Sequence, residues 1–278
     1  MSATATATTT ITDIDALKTR LKATWMDGNY DYFSRFMESS AVEFLDRLGV
    51  EAGASLLDVA CGSGQLSLVA ARRGVRVTGV DIATNSILAA RGRAASEGLD
   101  ARFDEGDAED LPYPDSSFDV VASIFGAMFA PRPERVAGEL LRVCRPGGVI
   151  AMGNWTREGF IGQMFKTFAR FIAPPGMPAP VLWGDEGVVR ERFGAGVSDL
   201  RLTRVNYRFD YPFAPADVVE FFRKYYGPTT RAFSALGEAD RAALREELAN
   251  LWASHNKASD PARTIVDAEY LEVVGIRA

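Results

Sequence analysis

Cys61 and Cys144 are the only cysteines in the chain, and His255 is its only histidine. Two separated cysteines form no CxxC pair, no zinc ribbon and no disulfide framework beyond one bridge, which points to a reducing compartment. No metal-ligand triad is visible. Long apolar runs are absent too: no stretch approaches ~18 uninterrupted apolar residues, so neither a membrane span nor a membrane partner is expected. Residues Met1 to Ile11 are rich in Ala and Thr and lack the basic start and apolar core of a signal peptide. They read as a disordered leader (1–11), and the expected location is cytoplasmic. Positive charge is in deficit, with a net charge of −6 and a pI near 5.1. That argues against a nucleic-acid partner gripped by bulk field, though not against a local basic groove. The chain has no internal repeat and no charge block.

What is present is an ordinary globular composition, 47% hydrophobic and 24% charged. The stretch Ser55 to Gln65 organises it. Leu56, Leu57, Val59 and Ala60 form an apolar run without alternation, as in a strand buried on both faces. Gly62 and Gly64 permit a tight turn and a close approach to the main chain. A helix then starts near Gln65, with Leu66, Val69 and Ala70 on one face. A ligand over this turn would meet free N–H groups at a helix N-terminus.

Before this unit, Asp13 is placed to cap a helix carrying Ile14, Leu17, Leu21 and Trp25. A break at Gly28-Asn29 and a second amphipathic helix ending at Gly49 complete an N-terminal helical layer over 12–49. After it, strands and helices alternate: 75–80 ending in Asp81, 85–97, 101–105, 118–123, 133–143 and 149–152, with Pro146-Gly147-Gly148 as a turn. The rhythm then changes. Helices are expected at 156–172, 186–193, 215–226 and 239–252, and strands at 200–209 and 264–274. The reading is an α/β fold: a doubly wound, mainly parallel, Rossmann-like seven-stranded sheet forming a single domain over 12–278. Two helical insertions, 156–193 and 212–262, form a cap on it.

In such a sheet ligands sit outside the carboxyl ends of the strands. Asp58, Asp81 and Asp107 fall at or near three of those ends. A carboxylate closing the second strand suits a ribose hydroxyl pair, so Asp81 implies a nucleoside. Asp58 can orient the turn or meet an ammonium group. Asp107 with the Ala108 N–H can read an adenine edge. A dinucleotide fingerprint fails because Ser67 stands at its third glycine, and a Walker loop fails because no Lys follows Gly64.

These residues resemble the class I S-adenosylmethionine-dependent methyltransferases, in particular the small-molecule group that includes the ubiquinone/menaquinone biosynthesis type. The resemblance rests on Leu57-Asp58-Val59-Ala60-Cys61-Gly62-Ser63-Gly64, Gly79-Val80-Asp81, Gly106 to Tyr113, Ser117 to Val121, and Leu141 to Gly148, and covers about residues 50 to 153. It implies S-adenosyl-L-methionine as cofactor, with S-adenosyl-L-homocysteine as product. Gly62 and Gly64 with the Ala60 and Cys61 backbone would hold the methionine part. Asp81 would take the ribose, Ile82 would pack on adenine, and Asp107 and Ala108 would meet its amino edge. Ile124-Phe125-Gly126 would flank the sulfonium, and Tyr30 would cover the carboxylate end. The family's first glycine is Ala60 here. Since Ala resists positive φ, that position is expected in a helical or β conformation, or the loop is reshaped.

The expected reaction is methyl transfer by direct in-line displacement to a small, apolar or aromatic acceptor, suggested by the Phe and Met of the cap. The alternative is a non-catalytic cofactor-binding or partner-binding protein of the same fold. His255 is the candidate general base. Trp183, Arg223, Tyr225 and Tyr226 are candidate substrate contacts. No Asn-Pro-Pro-Tyr run follows the fourth strand, which argues against amide or base-amine methylation. The missing metal triad argues against metal-assisted catechol methylation, and two cysteines fall short of the set for arsenite methylation.

Overall fold

A computed structural model describes residues 13–278, so the leader expected over 1–11 lies outside the described residues. Seven strands form one sheet: β1 (Ser55–Val59), β2 (Arg76–Asp81), β3 (Ala101–Glu105), β4 (Phe118–Ile124), β5 (Cys144–Trp155), β6 (Val197–Tyr211) and β7 (Thr264–Arg277). Their order is β3-β2-β1-β4-β5-β7-β6. The first five are parallel, and β7 runs antiparallel to both β5 and β6. Strand order therefore reverses between β1 and β4, which places a crevice outside their carboxyl ends.

Side chains of the central strands go alternately to two apolar layers. Leu57 and Val59 of β1 enter one layer with Val121, Ile150 and Met152, while Leu56 enters the other with Val120, Ala122 and Ala151. Burial on both faces is why these strands show no alternation. The second layer is closed by α3 (Glu38–Leu48), through Phe44 and Leu45, and by α4 (Gln65–Arg72), through Leu66 and Val69.

Asp13 Oδ1 accepts the Ala16 N–H at 2.9 Å and starts α1 (Ile14–Trp25), while α2 (Tyr30–Ser34) follows the break at Gly28. Thr84–Glu97 is α5 and Pro133–Val143 is α6. The later helices are α7 (Phe160–Ala169), α8 (Glu186–Phe193), α9 (Pro215–Tyr225), α10 (Gly227–Ala235) and α11 (Glu238–His255).

Three boundaries differ from expectation. Pro146-Gly147-Gly148 is not a turn before β5 but an irregularity inside it: Cys144 pairs with Phe118, and the ladder resumes at Val149 with Val120. A Cβ on Gly148 would lie 2.9 Å from the Asp119 carbonyl oxygen, so a side chain there would block the strand. Helix α7 starts only at Phe160, because Thr156 Oγ1 accepts the Gly159 N–H and holds the preceding residues in a turn. Helix α10 was not expected. Its Gly-Pro start reads as a break, yet Pro228 sits in the first turn, where no N–H is needed.

One ion pair ties the N-terminal layer to the far end of the chain. Arg47 of α3 donates from Nε to Glu272 Oε2 at 2.8 Å, and its Nη2 donates to the Tyr270 hydroxyl. Glu272 is only 4% exposed on β7. Arg47→Met strands that carboxylate and should cost ~3–5 kcal/mol. Arg47→Met/Glu272→Met should recover most of it. Urea midpoints check this; a double variant no more stable than the single one would show that the pair's charge is not what matters.

Candidate active site

The turn after β1 is folded around two carboxylates. Asp58, 2% exposed, accepts the Ser67 N–H at 3.1 Å and the Ser67 hydroxyl at 2.6 Å, which fixes the start of α4. Asp81, at the end of β2, accepts the Gly62 N–H on Oδ2 and the Ala83 N–H on Oδ1, each at 2.8 Å. Each Asp81 oxygen keeps a lone pair for a further donor.

A cleft of about 790 Å³, open to solvent, lies over the carboxyl ends of β1 to β4. Asp81, Ile82, Asp107 and Ala108 form one wall, with Ala60, Gly62, Phe125 and Gly126 as its floor. A Cβ on Gly62 would come within 2.7 Å of the Tyr30 ring, which overlies the turn. Tyr30 also borders a smaller hollow of about 400 Å³, lined with Asp58, Ala60, Cys61, Gln65 and Ile124. The two spaces meet at Tyr30 and Ala60. Gly64 borders neither. Its φ of +86° turns the chain into α4, and a Cβ there would press on Leu68 and Phe103 at 3.3 Å.

Ala60 does not avoid the left-handed region. Its φ is +56°, the conformation that glycine adopts freely. Phe125 does the same at +55°. Such strain of ~1–2 kcal/mol per residue is held only where the surroundings over-determine it. Gly126 supplies one constraint, since a Cβ there would lie 2.6 Å from both the Ala60 Cβ and the Ala60 carbonyl oxygen. The Phe125 ring supplies another by stacking on Trp155 at 3.7 Å and 7°.

The cap residues expected at the site lie elsewhere. His255 ends α11, where its Nδ1 sits 3.0 Å from the Leu251 carbonyl oxygen and its ring packs on Phe160. Trp183 is 1% exposed, beneath Arg192 and beside Phe193. Arg223 is exposed and pairs with Glu220. Tyr225 packs on Tyr32. None of these four borders the cleft, nor does Tyr226, which backs two residues that do: its ring lies 5.7 Å from Trp25 and 6.4 Å from Tyr30. The N-terminal layer does reach the cleft, through residues of α1 that the sequence reading does not name as site residues. Lys18, Leu21 and Trp25 share one helical face and roof the cleft, and Phe129, Ala130 and Pro131 close its side. The 18-21-25 spacing was the available signal.

The chain matches the family described as a methyltransferase domain over residues 57–152. It is 39% identical over 207 residues to an uncharacterized protein of Mycobacterium tuberculosis, covering 73% of this chain and 76% of that one. It is 38% identical over 144 residues to the methyltransferase GfsG of Streptomyces halstedii, covering 50% and 52%. A 27-O-demethylrifamycin SV methyltransferase of Amycolatopsis mediterranei is 36% identical over 135 residues, covering 46% and 50%. The chain belongs to the class I S-adenosylmethionine-dependent methyltransferases. Its cofactor is S-adenosylmethionine and its activity is methyl transfer. Among solved structures, the YcgJ protein of Bacillus subtilis superposes with a TM-score of 0.61 at 16% identity, covering 86% of this chain and 98% of that one. At that identity the likeness shows the shared fold alone. No helix among the described residues is long and apolar enough to cross a membrane.

The methyltransferase's two turn carboxylates, Asp58 buried and Asp81 partly so, are perturbed by desolvation. Desolvation pushes the Asp58 carboxyl up to about 7, against the two Ser67 hydrogen bonds that pull it down. Desolvation also raises Asp81, opposed by its backbone amides. Burial, then Asp81 and Asp58, raise the Tyr30 phenol, which stays protonated. Because Asp58 titrates higher folded than unfolded, its contribution to stability is full below pH ~4 and is lost as pH rises toward 7. Asp58→Asn should therefore flatten the stability slope between pH 4 and 7 in chemical denaturation; an unchanged slope would mean that Asp58 ionises freely in the fold. Gly126→Ala should cost ~1–3 kcal/mol by overpacking against Ala60, whereas Ala60→Gly should stay within ~1 kcal/mol of the parent. Equal melting of parent and Gly126→Ala would contradict the close approach.

Proposed function

We propose that this methyltransferase moves its methyl group directly, by in-line displacement, onto a small, apolar or aromatic molecule. The observation that carries the acceptor class is the lining of the cleft away from the acidic wall: Leu21, Trp25, Phe129, Ala130 and Pro131. Phe165 of α7 lies behind Phe129, with ring centroids 6.1 Å apart. The relative from Amycolatopsis mediterranei is named for its acceptor, 27-O-demethylrifamycin SV.

The residues present fit the cofactor. Asp81 has two oxygens with spare acceptor capacity beside a main chain that Gly62 keeps open, in a cleft open to solvent. Asp81 would accept both ribose hydroxyls, with Ile82 packing on the base. Asp107 and the Ala108 N–H would read the adenine edge. The backbone of Ala60, Cys61 and Gly62 would hold the amino-acid end beneath Tyr30, with Asp58 fixing that backbone from behind. Ile124 and Phe125 would flank the reacting centre, Phe125 held rigid by Trp155. When bound, the cofactor supplies a methyl group already activated by its sulfonium charge. The protein then has to align the acceptor and exclude water. Leu21 and Trp25 roof the site, and Phe129 sets the width of the acceptor side.

Calorimetry with S-adenosylhomocysteine tests the cofactor half. Asp81→Ala should weaken binding by ~1.5–3 kcal/mol, through loss of a charged hydrogen-bond acceptor. Undiminished affinity would put the nucleoside elsewhere. Phe129→Ala tests the acceptor half. With any acceptor found by turnover, it should raise KM for the acceptor while leaving S-adenosylhomocysteine affinity unchanged. A KM that stays at the parental value would remove Phe129 from the acceptor wall.

A further inference from the structure

Helix α1 roofs the cleft. Just past its C-terminal end it is held by backbone contacts and one ion pair. Gly28 has φ +72° and forms an antiparallel bridge with Tyr226, and a Cβ there would sit 2.6 Å from the Tyr225 carbonyl oxygen. The Asn29 N–H donates to that same oxygen at 3.0 Å, and Arg231 pairs with Asp27 at 2.6 Å.

Along the helix itself the hold is charge. Lys18 Nζ lies 2.5 Å from Asp107 Oδ2 and 2.6 Å from Glu109 Oε2, with the lysine side chain 16% exposed. Lys22, one turn on, pairs with Glu105 at the end of β3. Glu109 is fully buried and does not depend on Lys18 alone, since Arg132 donates to it from its main-chain N–H and its Nε. Asp107 is different. It lines the cleft, and Lys18 is its only ion-pair partner among the described residues. Its other oxygen accepts the Glu109 N–H at 2.9 Å, so both oxygens are fixed in place.

We infer that Lys18 is a positioning residue for the nucleoside. Acting through Asp107, it aims that carboxylate along the cleft wall and clasps α1 over the site. Release of the nucleoside then requires the Lys18 pairs to part, while the Gly28 end stays tied to α9 and α10. The ion pairs are largely withdrawn from water, so salt screens them weakly and their loss is felt mainly in the dissociation rate. The inference rests on the reading of Asp107 as the adenine partner.

The test is surface plasmon resonance of S-adenosylhomocysteine on the full chain, beside thermal melting of each variant. Lys18→Met should release the ligand about tenfold faster or more, with little change in association rate. Lys18→Arg, which keeps the charge, should return release to within about threefold of the parent. Lys22→Met, which leaves Asp107 paired, should change release less than Lys18→Met. Should Lys18→Met fail to fold, Lys18→Gln carries the same expectation. Parental release from a folded Lys18→Met or Lys18→Gln, or release from Lys18→Arg as fast as from Lys18→Met, overturns the inference. An Asp81→Ala arm separates the two levels. If Asp81→Ala weakens binding but the neutral Lys18 variants release normally, only the clasp is wrong. If Asp81→Ala binds like the parent, the nucleoside reading fails with it.

Discussion

Two carboxylates at the ends of adjacent strands hold the turn on which the site depends. Asp81 takes the Gly62 amide and Asp58 takes the Ser67 amide and hydroxyl. One backbone bond ties the turn to the next strand, from the Cys61 N–H to the Val80 carbonyl oxygen at 3.0 Å, and the two carboxylates behind it supply the rest of the bracing. The cost is two acidic groups in a space that disfavours charge, and it shows as the upward drift of both carboxyls. Strain gathers at the same edge of the sheet: Gly126 has no room for a side chain beside Ala60, and both Ala60 and Phe125 hold left-handed geometry.

Around this rigid floor the chain builds walls of different character. The β2 and β3 side is acidic and polar, and the α1 and Phe129 side is apolar. That division follows from topology: the acidic residues are strand ends fixed by the sheet, whereas the apolar ones come from a helix outside the alternating core and from the short helical turn after β4.

The strand ends were legible in the sequence because a parallel sheet leaves little freedom. Once the apolar runs and the glycine turn are read, Asp58, Asp81 and Asp107 must reach one edge. Residues whose role depends on what packs against them were not legible. Ala60 looked incompatible with positive φ because its constraint, Gly126, lies 66 residues further along the chain. Lys18 reads as a solvated charge until Asp107 is seen beneath it. The cap aromatics misled for the reverse reason. An apolar ring suits a core and a ligand wall equally, and only tertiary packing shows that Trp183 is enclosed in the core while Trp25 borders the cleft.

Trp25 has a further consequence. The chain contains four tryptophans, and Trp155, Trp183 and Trp252 are each buried to 5% exposure or less. Trp25 alone is half-buried and borders the cleft. Under red-edge excitation the protein thus carries its own optical gauge. The three enclosed indoles are shielded from solvent, and the one at the mouth reports on water in the cleft.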